Sequence, residues 1–292
     1  MVFENLREVV FMAQKFAVIG HPIGHSMSPF IHKRLFSLKG IEVEYSALDI
    51  APDNLKDEIN GSLASLTGFN VTIPHKELVI PFMDNIDDSA KKYNAVNCVK
   101  RENGKLYAYS TDAYGFTEAL KANNVPLKGN VLILGSGGAA RTLAREAADN
   151  GCSVTIAVRL SDLEKAAELK EWLIESGGKA TIARLETVRG EFDLLINATP
   201  VGMYPNTDAM PITKEQLMGC KAVFDAVYNP LETKLIKTAN ELGIKTVGGM
   251  AMLVWQAVKA HEHWYNATFS VEEVEKIIED ANCEMERTFY AK

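Results

Sequence analysis

The stretch Val131-Leu132-Ile133-Leu134-Gly135-Ser136-Gly137-Gly138-Ala139-Ala140-Arg141 constrains the fold more than any other part of the chain. Its consecutive apolar residues read as a strand buried on both faces, and the alanine-rich run after the glycines reads as the start of a helix. Strand, tight glycine turn and helix in that order open a dinucleotide-binding unit. In such a unit Gly135 permits the turn, Gly137 lets backbone approach a pyrophosphate, and the small Ala140 lets helix pack on strand. Ser136, Gly138 and Ala139 complete the loop, and the helix N-terminus offers free N–H groups to phosphate. A tight strand-to-helix turn needs glycine whether or not it holds a ligand, so the flanking sequence has to decide.

Downstream, strands are expected at residues 153–158, 193–197, 222–227 and 245–248, with helices between them, including 233–242. Repeated strand-helix alternation specifies an α/β, doubly wound sheet. Asn197-Ala198-Thr199-Pro200-Val201-Gly202 ends one strand in a turn, which places Thr199 at the carboxyl edge where such sheets bind ligands. The strand at 153–158 ends at Arg159. An arginine there suits the 2'-phosphate of NADP, whereas an acid suits the ribose diol of NAD, and Asp162 in the same loop pulls towards NAD.

Upstream, a strand at 16–20 breaks into His21-Pro22-Ile23-Gly24-His25-Ser26-Met27-Ser28-Pro29, followed by a helix over 30–38. Ser26 and Ser28 sit where hydroxyls can face a cleft, and Ser28-Pro29 also reads as a helix cap with proline at the first helical position. A strand at 42–50 and a helix at 53–62 come next. Gly68 to Glu77 presents a strand with Asn70 and Thr72 on one face, ending at Pro74 and Lys76. Strands at 94–99 and 106–112 are joined by a turn at 102–105 and carry Asn97 and Asp112. Asp112 also reads as a cap for the helix after it. A long helix beginning at Gly248-Gly249 includes Met252 and one polar exception, Gln256, of a residue type that most often faces solvent. The expected organisation is a substrate-binding α/β domain with a mixed sheet (1–112 plus 250–292), a Rossmann-type dinucleotide-binding domain (113–249), and an active site in the cleft between them.

No run approaches the ~18 apolar residues of a membrane span. Glu4, Arg7 and Glu8 interrupt the apolar residues of the N-terminus, so residues 1–15 read as a short amphipathic helix or a frayed extension rather than a secretory signal. The four cysteines are scattered without a Cys-x-x-Cys spacing, which argues against a disulfide framework or zinc knuckle and for a reducing, cytoplasmic location. A net charge of −7 gives no general affinity for nucleic acid or anionic membrane. His21, His25 and His32 cluster in sequence and His261 and His263 are close, but no cysteine joins them at zinc-like spacing, so no metal is expected.

Several stretches together resemble the shikimate dehydrogenase family, including its quinate/shikimate branch. They are Gly20 to Pro29, Asn70-Val71-Thr72-Ile73-Pro74-His75-Lys76, Ala95-Val96-Asn97, Ser110-Thr111-Asp112, Gly135-Ser136-Gly137-Gly138-Ala139 and Met252-Leu253-Val254-Trp255-Gln256, and they cover nearly the whole chain from Phe16. The resemblance implies reversible reduction of 3-dehydroshikimate to shikimate with NADPH, in aromatic amino-acid biosynthesis. It further implies Lys76 and Asp112 as the catalytic pair and Ser26 and Ser28 as binders of the substrate carboxylate. Asn70, Thr72, Asn97 and Gln256 are implied around the ring hydroxyls, with Tyr228, Gly249 and Met252 against substrate or nicotinamide. A small acid carrying several hydroxyls requires such an anion-binding corner and neutral hydrogen-bonding groups.

The chain departs from the family at Ser110 and Ala113, which flank the Thr-Asp pair, and at Val158-Arg159-Leu160, where the family has Asn-Arg-Thr. Arg159, with Arg141 or Lys165, is left to hold a 2'-phosphate. The alternative is an NAD-using quinate/shikimate dehydrogenase in which Asp162 binds the ribose. A non-catalytic metabolite or nucleotide sensor ranks below both, because Lys76 and Asp112 are present. Either a monomer or a homodimer is compatible with the sequence.

Overall fold

The computed structural model describes residues 14–24 and 26–290. The expectation for residues 1–15 therefore falls almost entirely outside the described residues, as does His25; Gln14 and Lys15 already belong to a strand. The first part of the chain runs β1 (Gln14–Gly20), α1 (Ser28–Leu38), β2 (Val43–Asp49), α2 (Leu55–Asn60), β3 (Gly68–Val71), α3 (His75–Leu78), β4 (Asn85–Ile86), α4 (Asp88–Tyr93), β5 (Cys98–Glu102) and β6 (Lys105–Tyr109). These strands form a sheet in the order β2-β1-β3-β5-β6-β4. β1 is parallel to both its neighbours and β5 antiparallel to both of its own, the expected mixed sheet.

Helix α5 (Asp112–Ala122) leads into β7 (Asn130–Leu134), α6 (Gly138–Asp149), β8 (Ser153–Val158), α7 (Leu163–Glu175), β9 (Lys179–Arg184), β10 (Leu194–Asn197), α8 (Lys214–Leu217), β11 (Ala222–Asp225), α9 (Lys234–Glu241) and β12 (Lys245–Gly248). The second sheet is parallel throughout, in the order β12-β11-β10-β7-β8-β9. That is the doubly wound order, with its topological switch between β7 and β10. α10 (Gly249–Tyr265) and α11 (Val271–Phe289) close the described chain. None of the described helices is long and apolar enough to cross a membrane. All four cysteines are unpaired.

Several local expectations change. Ser28 is not a cap: it is the first residue of α1, and the Oγ of Ser26 instead accepts the Ser28 N–H at 3.2 Å. The strand expected at 94–99 begins only at Cys98, because Asn94 takes a left-handed conformation (φ 50°) that ends α4. The helix expected over 53–62 is interrupted, with α2 flanked by single 3₁₀ turns. β9 has no counterpart in the sequence reading. It is an edge strand with no fully buried residue, so it lacks the continuous apolar run of its neighbours.

Helices α5 and α10 pack along the seam between the sheets. Gly115 makes this approach possible: a Cβ there would lie 2.6 Å from the Met252 carbonyl oxygen and 2.8 Å from the Gln256 Cβ. Phe116 stacks edge-to-face on Phe224 of β11 at 4.9 Å, and both are fully buried. Burying each contributes about 1.5–3 kcal/mol. A polar contact ties the same two parts together elsewhere. The Tyr93 hydroxyl of α4 donates to Glu146 of α6 at 2.5 Å, and Lys92 donates to Glu146 and Asp149 at 3.2 and 2.7 Å.

Candidate active site

Apart from Gln256, in the body of α10, the polar members of the site sit at or beside element boundaries. Asp112 is the first residue of α5, but its side chain caps nothing; Thr111 holds the N-cap position. The expected capping role is therefore absent, and the carboxylate turns instead to Lys76, whose Nζ donates to Asp112 Oδ2 at 2.5 Å. Lys76 lies in the short α3, which the Val96 N–H anchors through the Lys76 carbonyl at 2.8 Å. A quarter of the lysine side chain remains exposed against 11% of the aspartate's, so the charge is held from the buried side and presented from the open one.

Asn97 organises this pair. Its Oδ1 accepts the Thr111 N–H at 2.7 Å, which fixes the amide so that Nδ2 faces Asp112 Oδ1 at 2.9 Å and Gln256 Oε1 at 3.1 Å. Gln256 is held in turn by its Nε2 donating to the Leu253 carbonyl at 3.0 Å. Far from facing solvent, Gln256 is only 8% exposed, and Asn97 only 3%. A network this buried is rigid when every group is satisfied, and removing one member leaves the others unpaired at about 1–3 kcal/mol each.

Asn70, on β3, joins through its Nδ2, which donates to the Asn97 carbonyl at 3.1 Å. Thr72 lies one residue beyond the strand and is half-buried; its N–H bonds to the Ile19 carbonyl, and its hydroxyl makes no hydrogen bond among the described residues. Ser26 and Ser28 stand together at the entrance to α1. The structure thus brings Lys76, Asp112, Asn97, Gln256 and Asn70 into one hydrogen-bonded set. The two serines and Thr72 stand outside it.

The opposite group is assembled at the switch point of the parallel sheet. Gly135 has φ +102°, a conformation that favours glycine, and a Cβ there would come within 2.9 Å of the Thr199 Cγ2. Beyond it, a Cβ on Gly137 or Gly138 would meet nothing within 4 Å, and no side chain caps α6. Open space in front of uncapped helix N–H groups fits a pyrophosphate. Ser136 is half-buried and Ala139 exposed along the same loop. Thr199 is braced by Asn197, whose Oδ1 accepts both the Thr199 hydroxyl (2.7 Å) and its N–H (3.1 Å).

Asn197 is itself held by the fully buried Asp225 at 2.9 Å. Asp225 also accepts the Val227 N–H and the Thr233 hydroxyl. With no cation among these partners, burial pushes its carboxyl up to about 6. Tyr228 follows Val227 and is half-buried, and burial raises its hydroxyl.

Arg159 is exposed at the end of β8, and its Nε donates to Asp162 at 2.9 Å. The acid that could have bound a ribose is thereby paired with the arginine. Arg141 lies over the Trp172 ring at 4.1 Å, and Lys165 is exposed. α10 links the two groups: Gly249 bonds to Val227 at 3.4 Å, the Met252 carbonyl touches Gly115, and Gln256 reaches Asn97. Seven residues of helix, about 10 Å, separate Gly249 from Gln256. Among the described residues no cluster of three or more His, Cys, Asp or Glu could hold a metal; His32 and His261 bond to each other in the core.

Sequence reasoning missed Thr111, whose backbone orients Asn97, Gly115, which sets the helix contact, and Tyr45, which donates to Asn70. Only Thr111 carried a local signal, in the Ser-Thr-Asp motif.

The family model described as the shikimate dehydrogenase substrate binding domain matches residues 18–99. A shikimate dehydrogenase (NADP(+)) from Methanocaldococcus jannaschii is 40% identical over 271 residues, covering 90% of this chain and 95% of the relative. A crystal structure of a shikimate dehydrogenase in complex with NADP+ superposes with a TM-score of 0.84 at 38% identity, covering 92% of this chain and 95% of that one. The Thermus thermophilus shikimate 5-dehydrogenase in complex with NADP(H) and shikimate gives a TM-score of 0.82 at 35% identity, over 92% of this chain and 99% of that one.

Proposed function

The chain belongs to the shikimate dehydrogenase family, and from that premise we propose that it interconverts shikimate and 3-dehydroshikimate with NADP(H). The observation that carries this reading is the Lys76–Asp112 pair, locked from behind by Asn97. NADPH would supply the hydride when bound; the loop at Gly137 and Gly138 would hold its pyrophosphate and Arg159 its 2'-phosphate. Ser26 and Ser28 offer hydroxyls to the substrate carboxylate, and Asn70, Thr72 and Gln256 border the ring hydroxyls. Tyr228, Gly249 and Met252 flank the reacting carbon.

As a C–H bond forms at the ketone carbon, the carbonyl electron pair moves to oxygen. Lys76 meets that charge with its ammonium and transfers a proton to the oxygen. Its neutral amine is then reprotonated from solvent through the exposed quarter of the side chain. General acid catalysis of this kind is worth about 10²–10⁴-fold. Asp112 contributes by holding the ammonium in place, because Asn97 fixes the other carboxylate oxygen. Residues 1–112 with 250–292 are read as the substrate domain and 113–249 as the cofactor domain.

The test is spectrophotometric: purified protein with shikimate and NADP should form NADPH and 3-dehydroshikimate in equal amounts. No NADPH formation over a full range of both concentrations would remove the reading.

A further inference from the structure

Behind Asn70 lies a group with no part in the mechanism above. Tyr45 is in the middle of β2, and β1 lies between β2 and β3. Register places Tyr45 beside Phe16 and Asn70 beside Val18, so their side chains share one face of the sheet and meet over β1. There the Tyr45 hydroxyl donates to Asn70 Oδ1 at 2.7 Å, and Asn70 Nδ2 donates to the Asn97 carbonyl at 3.1 Å. Tyr45 is 2% exposed and Asn70 4%.

Both contacts select the same orientation of the amide. In the flipped orientation Asn70 Oδ1 would face the Asn97 carbonyl oxygen, acceptor against acceptor, and the tyrosine hydroxyl would lose its acceptor. We infer that Tyr45 is a positioning residue for the substrate: it holds the Asn70 amide in the one orientation that leaves its second N–H as the group offered to a ring hydroxyl. This rests on the reading of Asn70 as a substrate contact.

The ring of Tyr45 is fixed as firmly as its hydroxyl. It stacks on His32 of α1 at 4.6 Å with an interplanar angle of 6°, and His32 Nδ1 is bonded to His261 Nε2 of α10 at 3.1 Å. Burial raises the Tyr45 hydroxyl well above the ordinary tyrosine range, so it remains a donor wherever the enzyme works. The same α10 carries Gln256, so the helix that places the Gln256 amide on one side of Asn97 also buttresses, through His261 and His32, the tyrosine that orients Asn70 on the other.

A double-mutant cycle tests this in the full-length protein, with KM for shikimate and for NADP measured separately. Tyr45→Phe should lower kcat/KM for shikimate about tenfold, mainly through KM, while KM for NADP stays within twofold. Asn70→Ala should lower kcat/KM at least as far. Adding Tyr45→Phe to Asn70→Ala should cost nothing more, because Tyr45 acts only through the amide. If the two losses multiply, or if Tyr45→Phe leaves shikimate kinetics unchanged while Asn70→Ala does not, the positioning role is overturned and the role of Asn70 stands. Unchanged kinetics in Asn70→Ala would overturn both. Parallel rises in both KM values in Tyr45→Phe would mark a general loss of structure and also overturn the proposal, as would a parent protein without shikimate turnover.

Discussion

On the side of the cleft that carries Lys76, polar side chains are buried and satisfied by one another: Asn97 bonds to Thr111, Asp112 and Gln256, and the Thr111 hydroxyl bonds to Gln256 as well. On the side that carries Gly135 to Ala139 the ligand-facing chemistry is backbone, with open space above Gly137 and an exposed arginine at Arg159. The difference follows from what each side must do. Proton transfer needs a charged atom held within tenths of an ångström, which requires partners on every side. Gripping a phosphate needs only N–H groups and positive charge, which a helix terminus supplies. Damage to the first side should therefore appear in turnover or in KM for shikimate, and damage to the second in cofactor affinity.

Three substitutions sharpen or break that contrast. Lys76→Ala should have the largest effect, lowering kcat by about 10²–10⁴-fold because it removes both the proton and the charge from the transition state. Steady-state kinetics would contradict the assignment if kcat survived within a few-fold. Arg159→Ala comes next, weakening NADP by about 10–100-fold through loss of a charge-assisted bond worth roughly 1.5–3 kcal/mol, with NAD affected less than twofold. Equal losses for both cofactors would reject its contact with the phosphate.

The third substitution acts on stability rather than on kinetics and concerns the groups buried behind each side, which titrate in opposite senses. Burial pushes His261 down to about 3. The folded state therefore binds its proton less readily than the unfolded chain does, and this contribution to stability is lost as pH falls below about 6.5. Asp225, pushed up to about 6, binds its proton more readily when folded, so stability falls as pH climbs from about 4 to about 6. An asparagine at 225 has room for the same partners: its oxygen can keep the Asn197 and Val227 donors, and the Thr233 hydroxyl can turn to accept from its amide. Asp225→Asn should gain stability relative to the parent between pH 4 and 7, by at most about 3 kcal/mol at about 1.4 kcal/mol per pKa unit. Urea midpoints at both ends of that range would show it, and a difference that does not change with pH would refute it.

The contrast also explains what could be read from the sequence. The parallel sheet was legible because buried strands such as β7 and β10 are unbroken apolar runs and Gly135 follows one of them directly. Lys76, Asp112, Asn97 and Gln256 were legible because their motifs resemble a family, while their mutual bonds were not, since they join residues as far apart as 97 and 256. Tyr45 gave no signal, because an aromatic residue on a strand looks like core until the position of its hydroxyl is known. The Tyr93–Glu146 contact was hidden for the same reason, with its partners on different sheets' helices. Ser28 misled because a serine before proline satisfies the capping rule locally, and only the neighbouring Ser26 hydroxyl shows which residue accepts the helix N–H.

Titration of NADPH into Lys76→Ala tests the division of labour across the cleft most directly. A protein whose turnover is lost but whose NADPH dissociation constant stays within twofold of the parent's is the expected result. A loss of NADPH affinity that tracks the loss of turnover would contradict it.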